Sequence, residues 1–216
     1  MSAAPPERGR FITLEGPEGS GKSTAARHLA EWLRGRGVPT VLTREPGGTP
    51  LGEEVRRIVL HMRGMSDDLD PRADALLYAA GRAQHVARVI RPALERGEWV
   101  VCARFADSSL TYQGAGYGND MAEMRRLQEF ATGGLWPDLT LLIDVPVEVG
   151  LDRTRRRAEW NRFENTEAVA FFEQVRDAYL ALAAAEPDRF EIVDGSRSVE
   201  DADVAIRKVV ERRLRL

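Results

Sequence analysis

One cysteine, three histidines and no long apolar run leave this 216-residue chain with few means of crosslinking itself, holding zinc or entering a bilayer. The lone Cys102 lies in Val100-Val101-Cys102-Ala103, so an internal disulfide is excluded and the thiol reads as an inert core group. That usage suits a reducing compartment, and a cytoplasmic location is expected. His28, His61 and His85 are scattered over stretches of helical period with no cysteine or histidine at ligand spacing, which leaves them surface or packing roles. No segment approaches the apolar length of a membrane span. The N-terminal stretch from Met1 to Arg10, with Pro5, Pro6, Glu7 and two arginines, lacks the apolar segment of a secretory signal. An excess of one charge sign is also missing: 31 basic residues face 34 acidic ones, a formal net charge of −3. No global field draws in a nucleic-acid polymer or an anionic membrane, and any anion site must be local. With 43% hydrophobic residues the chain can bury one core. The expected layout is a frayed tail over residues 1–9 and a single domain over 10–216. No repeat or low-complexity segment is visible.

What is present is a phosphate loop. Gly16-Pro17-Glu18-Gly19-Ser20-Gly21-Lys22-Ser23-Thr24 follows the apolar run Phe11-Ile12-Thr13-Leu14 and opens a stretch of helical period. Glycine lets the backbone turn tightly enough for successive N–H groups to converge on phosphate oxygens, and the helix adds its positive dipole end. Lys22 then meets the β- and γ-phosphates of a nucleoside triphosphate, and the Ser23 hydroxyl meets Mg²⁺. Strand before and helix after argue against a chance glycine turn.

Short β-like runs recur at 11–15, 40–43, 99–102, 139–145 and 190–193, mostly separated by helical stretches, which predicts a parallel sheet covered by helices. Helices are expected at about 22–36, 50–61, 71–96, 121–132, 147–157, 166–185 and 199–213. The glycine clusters Gly47-Gly48 and Gly114, Gly116, Gly118 mark loops at element ends, where parallel sheets place their ligands. Past the second run comes Thr43-Arg44-Glu45-Pro46-Gly47-Gly48-Thr49, either a plain turn or a site loop bearing an arginine and a glutamate. Past the third comes Arg104-Phe105-Ala106-Asp107-Ser108-Ser109-Leu110-Thr111-Tyr112-Gln113-Gly114, a cation, hydroxyls, aromatics and an amide of the kinds that a second anion and a planar base require. A polar loop with core aromatics fits the same residues. Arg153, Arg155, Arg156, Arg157 and Arg162 cluster with only Glu159 and Glu164 against them. They read as a solvated charge run, or as a lid over about 150–166 whose guanidinium groups stabilise a transferring phosphoryl group.

In this order and spacing, GPEGSGKST, TREPGGT, LLYAAGRAQH (Leu76 to His85), RFADSSLTYQG, GGLWPDLTLLIDVP (Gly133 to Pro146) and the arginine cluster resemble the bacterial thymidylate kinase family, from about Phe11 to Gly195. The resemblance implies an α/β P-loop three-layer sandwich of the nucleoside-monophosphate-kinase form, a five-stranded parallel sheet with helices on both faces. It implies transfer of the γ-phosphoryl of ATP to thymidine monophosphate (dTMP), giving dTDP for dTTP synthesis, with Mg²⁺, in a homodimer. Matching positions place ATP on Gly16 to Thr24 and dTMP between the loops that carry Arg44, Glu45 and Pro46 and that carry Arg104 and Tyr112. They assign Arg104 to the acceptor phosphate, Tyr78 to stacking on thymine, Arg82 and Ser109 to its edge, and Gln113 to the pocket floor. They assign Glu18 to the sugar 3′-hydroxyl, Arg153 to adenine, and Arg157 and Arg162 to lid catalysis. Three positions depart from the family pattern: Ala103 stands where an aspartate is usual before the arginine, Asn161 where an aspartate is common, and Tyr117 where an arginine is frequent. The Ala103 change keeps open a protein that holds nucleotide without turning it over. Another nucleoside-monophosphate or deoxynucleoside kinase is a further alternative; a guanine-nucleotide switch is not, because no Asn-Lys-x-Asp sequence occurs.

Overall fold

A computed structural model describes residues 7–62, 69–156 and 166–216. Five strands, β1 (Phe11–Glu15), β2 (Thr40–Arg44), β3 (Trp99–Ala103), β4 (Leu139–Asp144) and β5 (Phe190–Asp194), form one sheet in the order β2-β3-β1-β4-β5. Every pairing is parallel. Side chains alternate across it as the pleat requires. Ile12, Leu14, Val101, Leu141 and Ile143 pack with Leu29 and Leu33 of α1 (Lys22–Gly35) and with Ile206 and Val210 of α9 (Val199–Leu214). On the opposite face Phe11, Val100 and Cys102 meet Val86, Ile90 and Leu94. Leu142 meets Phe172, Val175 and Tyr179 of α8 (Thr166–Ala185). Helices on both faces of a parallel sheet are the expected α/β sandwich.

The remaining helices are α2 (Pro50–Met62), α3 (Pro71–His85), α4 (Arg91–Glu95), α5 (Ala106–Ser109), α6 (Met121–Thr132) and α7 (Val147–Arg155). The single helix expected over 71–96 is interrupted by a π-helical turn at Val86–Ile90, just before Pro92, which has no N–H to return to a carbonyl four residues back. The stretch after β3, read as a loop, is helical: α5 runs into a π-helical turn at Leu110–Gly116. Ahead of β1 the Arg8 guanidinium bonds Asp138 at 3.0 and 3.1 Å and Gly9 N–H donates to the Leu94 carbonyl at 2.9 Å. Cys102 is fully buried as expected, and burial pushes its thiol well above the ordinary range. No helix of the described residues is long and apolar enough to cross a membrane.

Candidate active site

The phosphate loop joins β1 to α1, and its shape is set by glycine where nothing else fits. Gly19 has φ +70°, and a Cβ there would lie 2.0 Å from the Gly150 carbonyl oxygen, so the loop is pressed against the start of α7. Gly21, at φ +94°, hands the chain into α1. Lys22 is nearly buried and folds back over the loop, donating to the Pro17 carbonyl at 2.6 Å and to Ser20 Oγ at 3.0 Å. Glu18, Gly19, Gly21, Lys22, Ser23, Thr24 and Arg104 line a cleft of about 90 Å³, room for phosphate groups rather than a whole nucleotide.

Arg104 belongs to that cleft although it comes from the end of β3. Its Nη2 donates to Glu18 Oε2 at 2.7 Å and to the Tyr112 hydroxyl at 3.3 Å, and its guanidinium lies 4.9 Å from the centre of the Tyr112 ring. Glu18, which the resemblance assigns to the sugar 3′-hydroxyl, thus has a cationic partner within the protein. Beneath this pair sits Glu15, with no exposed surface, accepting from Phe105 N–H at 2.6 Å, Ser108 Oγ at 2.6 Å and Tyr179 Oη at 2.9 Å. Burial pushes its carboxyl up to about 7, with the charge of Asp107 adding to the rise and the Ser108 hydroxyl, the Arg104 guanidinium and the Tyr179 hydroxyl opposing it. Because the folded value lies above the unfolded one, the folded state binds the extra proton between 4.5 and about 7, so this group's contribution to stability falls as pH rises through that window. Thermal melts across the window are expected to show native protein losing stability with rising pH relative to Glu15→Gln. Parallel curves for the two proteins would contradict the shift.

Helix α3 carries a polar stripe, Asp74, Tyr78, Arg82 and His85, spaced so that all share one face. Arg82 is 1% exposed and four of its five N–H donors are used inside the protein: Nε on Glu45 at 2.8 Å, Nη1 on Ser109 at 3.0 Å and on Gln128, Nη2 on the Phe105 carbonyl at 3.0 Å. Glu45 also meets His85 Nδ1 at 2.9 Å, and His85 Nε2 lies 2.7 Å from Thr43 Oγ1. Gln113 donates to Asp74 at 2.8 Å. Tyr78 is half-buried on the same helix face. Arg44 stands apart from this group, its side chain 54% exposed and tied to Glu53 at 3.2 Å, while Pro46 offers its carbonyl to Arg56 at 3.5 Å. Arg153 donates to the Gly195 carbonyl at 2.8 Å, joining α7 to the turn after β5. Arg157, Asn161 and Arg162 lie outside the described residues.

A family model described as thymidylate kinase matches residues 14–206. A thymidylate kinase of Leifsonia xyli subsp. xyli is 54% identical over 213 residues, covering 96% of this chain and 97% of the relative. One from Pseudomonas fluorescens strain SBW25 is 51% identical over 198 residues, covering 92% and 93%. The crystal structure of thymidylate kinase from Ehrlichia chaffeensis superposes with a TM-score of 0.77 at 32% identity, covering 94% of this chain and 99% of that one. The chain belongs to the thymidylate kinase family. Membership makes it a kinase that converts dTMP to dTDP, and the fold is that of a P-loop NTPase. Within this thymidylate kinase fold, sequence reasoning gave Tyr179 no role, took Ser108 only as one hydroxyl of the 104–114 run, and gave His85 a surface or packing role. The α3 stripe could have flagged Asp74 and His85, which stand four before and seven after Tyr78. Ala103, the departure from the family pattern, packs with Ile12, Leu14 and Ala26 on the α1 side of the sheet. Tyr117 stacks at a tilt on Phe171, with ring centres 5.2 Å apart.

Proposed function

We propose that ATP lies along the phosphate loop, dTMP lies in the pocket between α3 and the segment after β3, and the γ-phosphoryl passes between them by positioning and charge stabilisation, with no covalent protein intermediate. The Glu18–Arg104 contact at 2.7 Å carries this reading: it joins the donor loop to the candidate acceptor-phosphate arginine, so the two subsites adjoin. Lys22 serves the β- and γ-phosphates and Arg104 the acceptor phosphate. Tyr78 stacks on thymine, Ser109 and Gln113 close the base pocket, and Glu45 with Pro46 shapes its wall. A guanidinium has five N–H donors, and the four bonds that Arg82 makes among the described residues leave one on Nη2 for a base carbonyl.

The described residues fit Mg²⁺ of the kind that keeps waters and binds mainly to substrate phosphates. Ser23 is exposed at the cleft, and among the described residues no group of three or more acidic, histidine or cysteine side chains forms a dedicated cage. When bound there the ion neutralises charge on the phosphate oxygens. Arg153 contacts adenine, and Arg157 with Arg162 supplies lid cations. Leu76 on α3 and Phe130 on α6 are 58% and 86% exposed, which supports a homodimer using these adjacent helices, and the single buried thiol supports a cytoplasmic location.

A coupled steady-state assay with ATP and a panel of monophosphates tests the reading. Thymine binding in an apolar slot gains about 1–3 kcal/mol from its methyl, so dUMP is expected to be a poorer but measurable substrate. dCMP, which presents a donor to the free Arg82 donor, is expected to be rejected far more strongly. Equal use of dCMP and dTMP would refute the pocket. If the lid arginines act on the transition state, Arg157→Ala or Arg162→Ala lowers kcat by about 10²-fold with little change in KM. A change confined to the KM for ATP would remove them from catalysis.

A further inference from the structure

Arg104 occupies a backbone conformation that arginine rarely adopts, φ +67°. Such a residue persists only where its surroundings over-determine it, and here every polar backbone group of the turn has a partner. Ala103 O accepts from Glu45 N–H at 3.0 Å, Arg104 N–H donates to Leu14 O at 2.9 Å, and Arg104 O accepts from Cys102 Sγ at 3.1 Å. Phe105 O accepts from Arg82 at 3.0 Å, and Phe105 N–H donates to Glu15 Oε1 at 2.6 Å, the shortest of the five. The second oxygen of Glu15 takes the Ser108 hydroxyl at 2.6 Å, and Ser108 Oγ in turn accepts from Arg104 Nη1 at 3.4 Å. Tyr179 Oη lies 2.9 Å from both Glu15 Oε2 and Ser108 Oγ and closes the network from α8. One fully buried carboxyl therefore grips the turn from behind and the guanidinium from the side.

We propose that Glu15 is a positioning residue for Arg104, and that it works by accepting hydrogen bonds at a fixed reach rather than by its charge. The proposal rests on the reading that Arg104 holds the acceptor phosphate. A glutamine keeps one acceptor oxygen at the same reach for Phe105 N–H, and its amide N–H groups can donate to Ser108 or Tyr179, whose hydroxyls also accept. An aspartate keeps the charge but is one methylene shorter, so its oxygens retract from Phe105 N–H and leave that donor buried without a partner. The strained turn is then free to relax, and the guanidinium leaves its place beside Glu18 and Tyr112.

Steady-state kinetics of full-length Glu15→Gln, Glu15→Asp, Ser108→Ala and Arg104→Ala, each checked for native circular dichroism, separate these roles. Glu15→Gln is expected to stay within about threefold of native in all constants. Glu15→Asp is expected to raise the KM for dTMP by about 10- to 100-fold, the size of strain held at one residue, with the KM for ATP within about twofold. Ser108→Ala, which leaves the Phe105 N–H bond in place and removes only the side grip, is expected to raise the KM for dTMP about 3- to 10-fold. The reverse order, aspartate tolerated and glutamine damaging, would make Glu15 a charge and overturn the proposal. So would an unchanged KM for dTMP in Ser108→Ala should Glu15→Asp fail to fold. Arg104→Ala tests the underlying reading separately: if it leaves the KM for dTMP unchanged, Arg104 does not hold the acceptor phosphate and both fall, whereas a raised KM there with a native-like Glu15→Asp sinks the positioning role alone.

Discussion

Arg82→Ala is expected to lower folding stability by about 3–5 kcal/mol in urea or thermal unfolding, the cost of removing one partner from a buried ionic network. The guanidinium is 1% exposed and bonds Glu45, Ser109, Gln128 and the Phe105 carbonyl, with its centre 5.4 Å from the Phe105 ring. Among the described residues, alanine leaves Glu45, only 4% exposed at its side chain, facing His85 alone, and it leaves Gln128 fully buried with neither end bonded, since its Nε2 already has no partner there. Arg82→Lys keeps the charge, but three donors on one nitrogen do not reproduce a planar fork reaching four acceptors, so an intermediate loss is expected. Arg57→Ala is the control: that side chain pairs with Glu54 at 2.9 Å but is 68% exposed, and its loss should be within about 0.5 kcal/mol. Equal stability of the Arg82 and Arg57 variants would show that the network between α3 and β2 does not hold the pocket wall.

The phosphate loop and the parallel sheet were legible because both depend on local demands. Gly19 and Gly21 must adopt positive φ, and buried parallel strands show up as short apolar runs such as Leu139 to Ile143. What stayed hidden depends on partners distant in the chain. Residues 104–114 read as a polar loop, yet from Ala106 onward they fold as helical turns, with Asp107 buried against Arg189 at 2.6 Å, Ser108 against Glu15 and Gln113 against Asp74. His85 looked like a packing histidine because its carboxylate partner, Glu45, lies 40 residues away. Arg44 and Glu45 are neighbours in one motif and looked alike as candidates, but the pleat turns one to solvent and the other into the core. The spacing of α3 carried more than was taken from it. A stripe of Asp, Tyr, Arg and His on one helix face has no reason to exist in an apolar core, and that argument needs no structure.

Lys22→Ala is expected to lower kcat by about 10²- to 10³-fold, the loss seen when one preorganised charge-stabilising donor is removed from a polar reaction. Stability should be nearly unchanged. The ammonium bonds the Pro17 carbonyl and Ser20 Oγ, both within its own loop. Alanine is also the best helix former at the first position of α1. The loop itself is shaped by Gly16, Gly19 and Gly21 and by its contact with Gly150, none of which involves the lysine side chain. ATP binding, read by equilibrium titration, should weaken less than turnover, because the backbone N–H groups of the loop remain in place while the mobile cation that follows the phosphoryl charge is gone. Full turnover in the Lys22 variant would contradict the phosphate-loop reading. A collapse of folding alongside activity would instead assign Lys22 to the loop's own structure, since its bonds to Pro17 and Ser20 would then be holding the loop rather than waiting to be exchanged for phosphate.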